Sequence, residues 1–145
     1  MRRLRNSTAI ADATVREIET FVRPPGVRGF DLELRNGHGY DLAGRAYHAG
    51  SAYHSTARPF VVCRIGEAMR FPQMPQPPVR SNYLPRPYLA SQTEALVYLL
   101  AHELRHLWQA RVTSGRRVWG SRGQFSERDA DAYAIKMLRQ WRNRD

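Results

Sequence analysis

The chain has 145 residues, enough for one domain with a single core, and its 42% hydrophobic content with three tryptophans fits a globular protein. No apolar run approaches the roughly 18 residues that would span a bilayer. The basic start Met1-Arg2-Arg3-Leu4-Arg5 also lacks the apolar block of a signal peptide, so the expected location is cytoplasmic, away from membranes. The net charge of +10 points to nucleic acid, an acidic partner or an acidic substrate, but 22 of the 23 basic residues are arginines spread along the whole chain, which reads more as compositional bias.

Residues 1–25 form an N-terminal helical region. Ile10, Ala13, Val15, Ile18, Phe21 and Val22 give a helical stripe over about 7 to 22, and Pro24-Pro25-Gly26 stops it. Its expected role is packing.

From 27 to 66 the period changes to two. Phe30, Leu32 and Leu34 alternate with Asp31, Glu33 and Arg35, a half-buried strand. Asn36-Gly37 reads as a hairpin turn, Tyr40 to Tyr47 as the returning partner strand, and Gly44 as a bulge within it. His38, His48 and His54 surround this hairpin and read as solvent-facing, with a ligand or oxyanion donor as the alternative. Pro59 to Ile65 is the most strand-like run. It contains Cys63, the only cysteine, which excludes an internal disulfide. Cys63 reads as a small buried hydrophobe, a zinc-blocking thiolate being the alternative. Residues 71–90 carry Pro72, Pro75, Pro77, Pro78, Pro85 and Pro87, a stiff connection that serves as a linker or as one rim of a cleft.

Residues 91–145 carry the chemistry. Ser91-Gln92-Thr93-Glu94 is a capping box that starts a helix at Gln92. Leu96, Leu99, Leu100, Leu104 and Leu107 make a broad apolar stripe on it, so the helix should be largely buried. Within it stands His102-Glu103-x-x-His106. At 3.6 residues per turn the two imidazoles share a face and can grip one ion, while Glu103, about 100° round, can reach a water activated by that ion. This is the spacing of a zinc metallopeptidase with the Glu as general base.

A glycine-rich basic loop, 111–125, follows; its arginines and Trp119 could stack on nucleobases or recognise carboxylates, or simply be solvated. Ser126 then reads as the N-cap of a last helix. On it Glu127, Ala130, Asp131, Ala134 and Leu138 share one face, so Glu127 would be a third ligand, with Asp131 one turn below to hydrogen-bond a ligand histidine.

The pattern His102-Glu103-x-x-His106 followed by Glu127-x-x-x-Asp131 resembles the gluzincins. More narrowly, Glu127-x-x-Ala130-Asp131-x-Tyr133-Ala134 is similar to ImmA/IrrE-like metallo-endopeptidases and minimal gluzincins. The resemblance is specific over about 91–141. It implies one zinc per chain held by His102, His106 and Glu127, with Glu103 as base and Asp131 supporting a ligand histidine. No histidine follows His106, which argues against zincins with a third histidine ligand, and no oxyanion-stabilising tyrosine or histidine can be carried over.

The expected fold is therefore α+β and zincin-like: a single domain over 1–145, with a small antiparallel sheet on the active-site helix and a second helix supplying the third ligand. In this fold class the strand bordering the cleft, expected here to be Pro59 to Ile65, offers its unpaired backbone to an extended peptide. The expected function is a zinc-dependent metalloendopeptidase acting on a peptide or protein substrate. The alternatives are a non-proteolytic zinc-binding regulator and an arginine-rich nucleic-acid-associated protein, including a protease recruited to DNA.

Overall fold

In a computed structural model of the protein, residues 1–39, 42–48, 58–72, 87–112 and 124–144 are described. They form β1 (Leu4–Asn6), α1 (Asp12–Val22), β2 (Asp31–Gly37), β3 (Leu42–Tyr47), β4 (Phe60–Gly66), α2 (Gln92–Val112) and α3 (Gln124–Arg142). The fold is α+β, with these three helices and a mixed four-stranded sheet ordered β1-β2-β4-β3. Among the described residues no helix is long and apolar enough to cross a membrane.

The sheet departs from the antiparallel hairpin expected for 27–66. β2 runs parallel to both β1 and β4, and only β3 and β4 are antiparallel. Asn36-Gly37 does not turn the chain; it continues β2, paired with Ile65 and Gly66. The reversal comes later, where Gly39 takes a left-handed φ of 56°. The physical reason lies in β4. Val61, Val62, Cys63 and Ile65 are all buried, on both faces, and such a strand belongs in the middle of a sheet. The more polar β3 is left at the edge. A period-two pattern defines each strand but not its neighbours. Nor does Gly44 mark a bulge, because the β3–β4 register runs unbroken through the Gly44–Cys63 pair.

The short strand β1 departs from the expectation of a helical region over 1–25, and residues 7–11, read as the start of the helix, are not helical either. Local side-chain bonds take those residues out of it. Asn6 donates through Nδ2 to the Ile10 carbonyl at 2.6 Å and accepts the Thr8 amide at 2.9 Å. Asn and Thr side chains that capture nearby backbone groups compete with helix in this way. The helix therefore begins at Asp12, after an extended Ala11.

Leu32 and Leu34 of β2 join Val61, Cys63 and Ile65 of β4 in one core with Val15, Ile18 and Val22 of α1. Helix α2 runs through this core, and residues around most of its circumference, from Ala95 to Gln109, are buried. The sheet flanks it on one side and α3 on another, with α1 in contact with both helices. The Tyr133 hydroxyl of α3 donates to the Val22 carbonyl at the end of α1 at 2.6 Å, and Phe21 meets Trp141 edge-on. The proline-rich stretch at 73–86, the loop at 113–123 and His54 lie outside the described residues.

Candidate metal centre

The start of α2 is fixed by side chains. The Ser91 hydroxyl accepts the Glu94 amide at 3.2 Å, half of the expected capping box. The other half reaches one residue further back, with Glu94 Oε2 accepting the Ala90 amide at 2.7 Å. Arg142, at the far end of α3, closes on the same Glu94 carboxylate through Nε and a terminal nitrogen at 2.9 and 2.7 Å. The last turn of α3 is thereby tied to the first turn of α2.

Two turns further along α2, His102 and His106 project to one side, and α3 presents Glu127 to them. The two Nε2 atoms are 3.1 Å apart. Glu127 Oε2 lies 3.1 Å from His102 Nε2, and its Oε1 3.3 Å from His106 Nε2. A tetrahedral ion with bonds of about 2.0–2.1 Å holds its ligand atoms about 3.3 Å apart, so the spacing fits zinc. Among the described residues this trio is the group of metal-ligating side chains close enough to share an ion. His38 and His48 are exposed and stand outside it.

The hydrogen bonds behind the histidines decide their tautomers. His102 Nδ1 lies 2.9 Å from Asp131 Oδ1, and an ionised carboxylate can only accept. Tyr98 donates to the same oxygen at 3.3 Å. His106 Nδ1 lies 2.8 Å from Gln109 Oε1. The amide orientation of Gln109 is set by its other contacts: Nε2 donates to the Ser126 carbonyl and to Asp129 Oδ2, both at 2.9 Å, so Oε1 must face the ring. Both Nδ1 atoms therefore carry the proton and point away from the site. Two Nε2 atoms and a carboxylate are left converging on one point, an arrangement that favours positive charge there, either a proton shared with Glu127 or a metal ion.

The electrostatics agree. Burial alone would keep the His102 ring neutral, but hydrogen bonds to Asp131 and Glu127, with the charge of Glu103, outweigh it and push its pKa up to about 10. Burial works against the Glu127 carboxylate, yet its hydrogen bonds to His102 and His106 hold it below the usual range. Glu103, only 5% exposed, is pushed up, chiefly by burial. It lies against the backbone of Gly44 in β3. Three carboxylates thus surround the two imidazoles, with His106 and Glu127 partly exposed and His102, Glu103 and Asp131 buried, and favour positive charge there.

Gln109 and Ser126 are the supporting residues that the sequence reading did not identify. The i, i+3 spacing of His106 and Gln109 was the available signal. Ser126 is not an N-cap, because α3 begins at Gln124; its hydroxyl instead donates to Gln109 Oε1 at 2.6 Å. Nearby, Arg105 grips Asp129 with both branches, at 2.7 and 3.1 Å, and stacks on Trp108 at 3.6 Å. These contacts fix α3 on α2 at the height of the ligands. Cys63 is buried on β4 as expected, and burial together with the charge of Glu103 pushes its thiol well up, against a thiolate ligand.

Comparison with family models, with curated proteins and with solved structures finds no match for this chain.

Proposed function

We propose that the chain is a zincin-like metalloendopeptidase of the gluzincin type, with His102, His106 and Glu127 holding one zinc. The convergence of two Nε2 atoms and a carboxylate, each histidine backed through Nδ1 by a separate hydrogen-bond acceptor, is the observation that carries this reading. When bound, zinc supplies Lewis acidity and a water of lowered pKa. Glu103 takes the proton of the attacking water at its carboxylate and returns it to the leaving amine. Its burial supports this role, since it brings a carboxyl closer to the pKa of a base that must both take and give a proton near neutrality. Asp131 and Gln109 hold the imidazoles in the Nδ1–H form, so that neither ring needs to reorient during turnover.

The edge of the sheet next to α2 is β3, whereas β4 is paired on both sides. An extended peptide adding a strand would therefore pair with β3.

The test is metal content and peptide cleavage in four proteins. Wild type should hold about one zinc and cleave a mixture of proteome-derived peptides. Glu127→Ala and His106→Ala should lose the metal, and Glu103→Gln should keep it while turnover disappears. Zinc bound by a wild-type protein that cleaves nothing would instead indicate a metal-binding regulator.

A further inference from the structure

Gly44 sits in the middle of β3, paired with Cys63 in an unbroken register. A strand interior is a poor place for glycine, which is destabilising there relative to alanine. The backbone offers no reason for it: among the described residues the glycines with left-handed φ are Gly26, Gly29 and Gly39, and Gly44 is not one of them. Any residue could adopt its conformation.

Space does supply a reason. A Cβ built on Gly44 would lie 2.6 Å from both Cγ and Oε1 of Glu103 and 2.8 Å from Cδ. Those separations are far inside van der Waals contact, and all three atoms belong to one side chain. Glu103 therefore fills the volume that any other residue at 44 would occupy. Neighbouring strand positions on one face point the same way, so Cys63, itself small and fully buried, forms the rest of that surface.

We propose that Gly44 is a positioning residue for Glu103, its missing side chain being the seat that holds the carboxylate between the edge strand and the histidine pair. The obstruction falls on a flexible side chain, so a methyl group at 44 can be accommodated by moving Glu103 aside. The fold survives that movement; the alignment of the carboxylate does not. For its effect on turnover the proposal rests on Glu103 being the general base. For its steric content it does not.

The decisive experiment is a double-mutant cycle of Gly44→Ala with Glu103→Ala on the zinc-loaded full chain, read by thermal unfolding. In the Glu103→Ala background the obstructing atoms are gone, and alanine at 44 should raise Tm by about 2–4 °C, as an unobstructed Gly→Ala change does. With Glu103 present, the same substitution should give no gain or a loss. Equal shifts in the two backgrounds would overturn the proposal. The second readout is kinetic, on an internally quenched peptide cleaved by wild type. Gly44→Ala should keep its zinc and its KM while kcat falls about 100-fold, the scale of a misplacement near 1 Å. Unchanged kcat would overturn the proposal as well. A wild type that cleaves no peptide would end the peptidase reading, and the Tm cycle alone would then decide whether Glu103 is seated on Gly44.

Discussion

Gln109 accepts the Nδ1–H of His106 at 2.8 Å while its own amide nitrogen holds Asp129 and the Ser126 carbonyl. One neutral side chain thus orients a ligand histidine and joins it to the helix that delivers Glu127. His102 is oriented differently, by the charged Asp131. The two imidazoles of the site share one face of α2 and are held by supports of different kinds.

That difference is measurable. Gln109→Leu and Asp131→Asn should each weaken zinc binding by about 10–100-fold, as loss of a histidine's hydrogen-bond partner does. Asp131→Asn should sit at the upper end, because it also removes a charge. Competition with a chromogenic chelator would rank them.

Chelation should lower thermal stability. A ligand that binds only the folded state at 100 times its Kd contributes about 2.7 kcal/mol, which for a chain of this size is several degrees in Tm. The Tm difference between zinc-loaded and chelator-treated protein should vanish in His106→Ala, which lacks one of the three proposed ligands.

Arg105→Leu should destabilise the fold by about 1–3 kcal/mol, because it strips a half-buried Asp129 of its bidentate partner. Urea titration of the two proteins gives the number directly. Unchanged stability would mean that the stacking of Arg105 on Trp108 and its grip on Asp129 are incidental.

The Arg142–Glu94 clasp predicts a pH dependence. The hydrogen bond from Arg142 lowers the Glu94 pKa below its ordinary 4.5. A carboxylate whose pKa is depressed by folding stabilises the protein above its unfolded value and loses that contribution as pH falls through the folded one. Wild type should therefore exceed Glu94→Gln in Tm at pH 7, by an amount worth no more than about 1 kcal/mol for so exposed a pair. The gap should close below pH 4. A gap that widened in acid would refute the assignment.

The sequence made some of this legible and not the rest. His102, Glu103 and His106 on one helix, and Glu127 and Asp131 on another, could each be grouped from helical spacing because each set lies within two turns; the expectation that the two sets meet drew also on the gluzincin resemblance. The apolar stripe that buries α2 was legible for the same reason. Strand order was not, because alternation in Leu32 and Leu34 reports a buried face and says nothing about which strand lies alongside. The late start of α1 was hidden by Asn6 and Thr8, whose side-chain bonds to the backbone override helix over 7–11. The contact between Gly44 and Glu103 joins residues 59 positions apart and appears only once β3 is known to border α2.

The attachment of α3 also bears on when the centre comes into existence. Glu127 and Asp131 reach the histidines only with α3, which is held chiefly on α2, through Asp129 on Arg105 and Arg142 on Glu94, and also on α1, through Tyr133 on Val22 and Trp141 on Phe21. Two imidazoles on a single helix are an incomplete chelate. Under the proposed assignment, a nascent chain that has not yet released α3 carries only part of the centre. Docking of α3 on α2 and α1 is then the step that completes it.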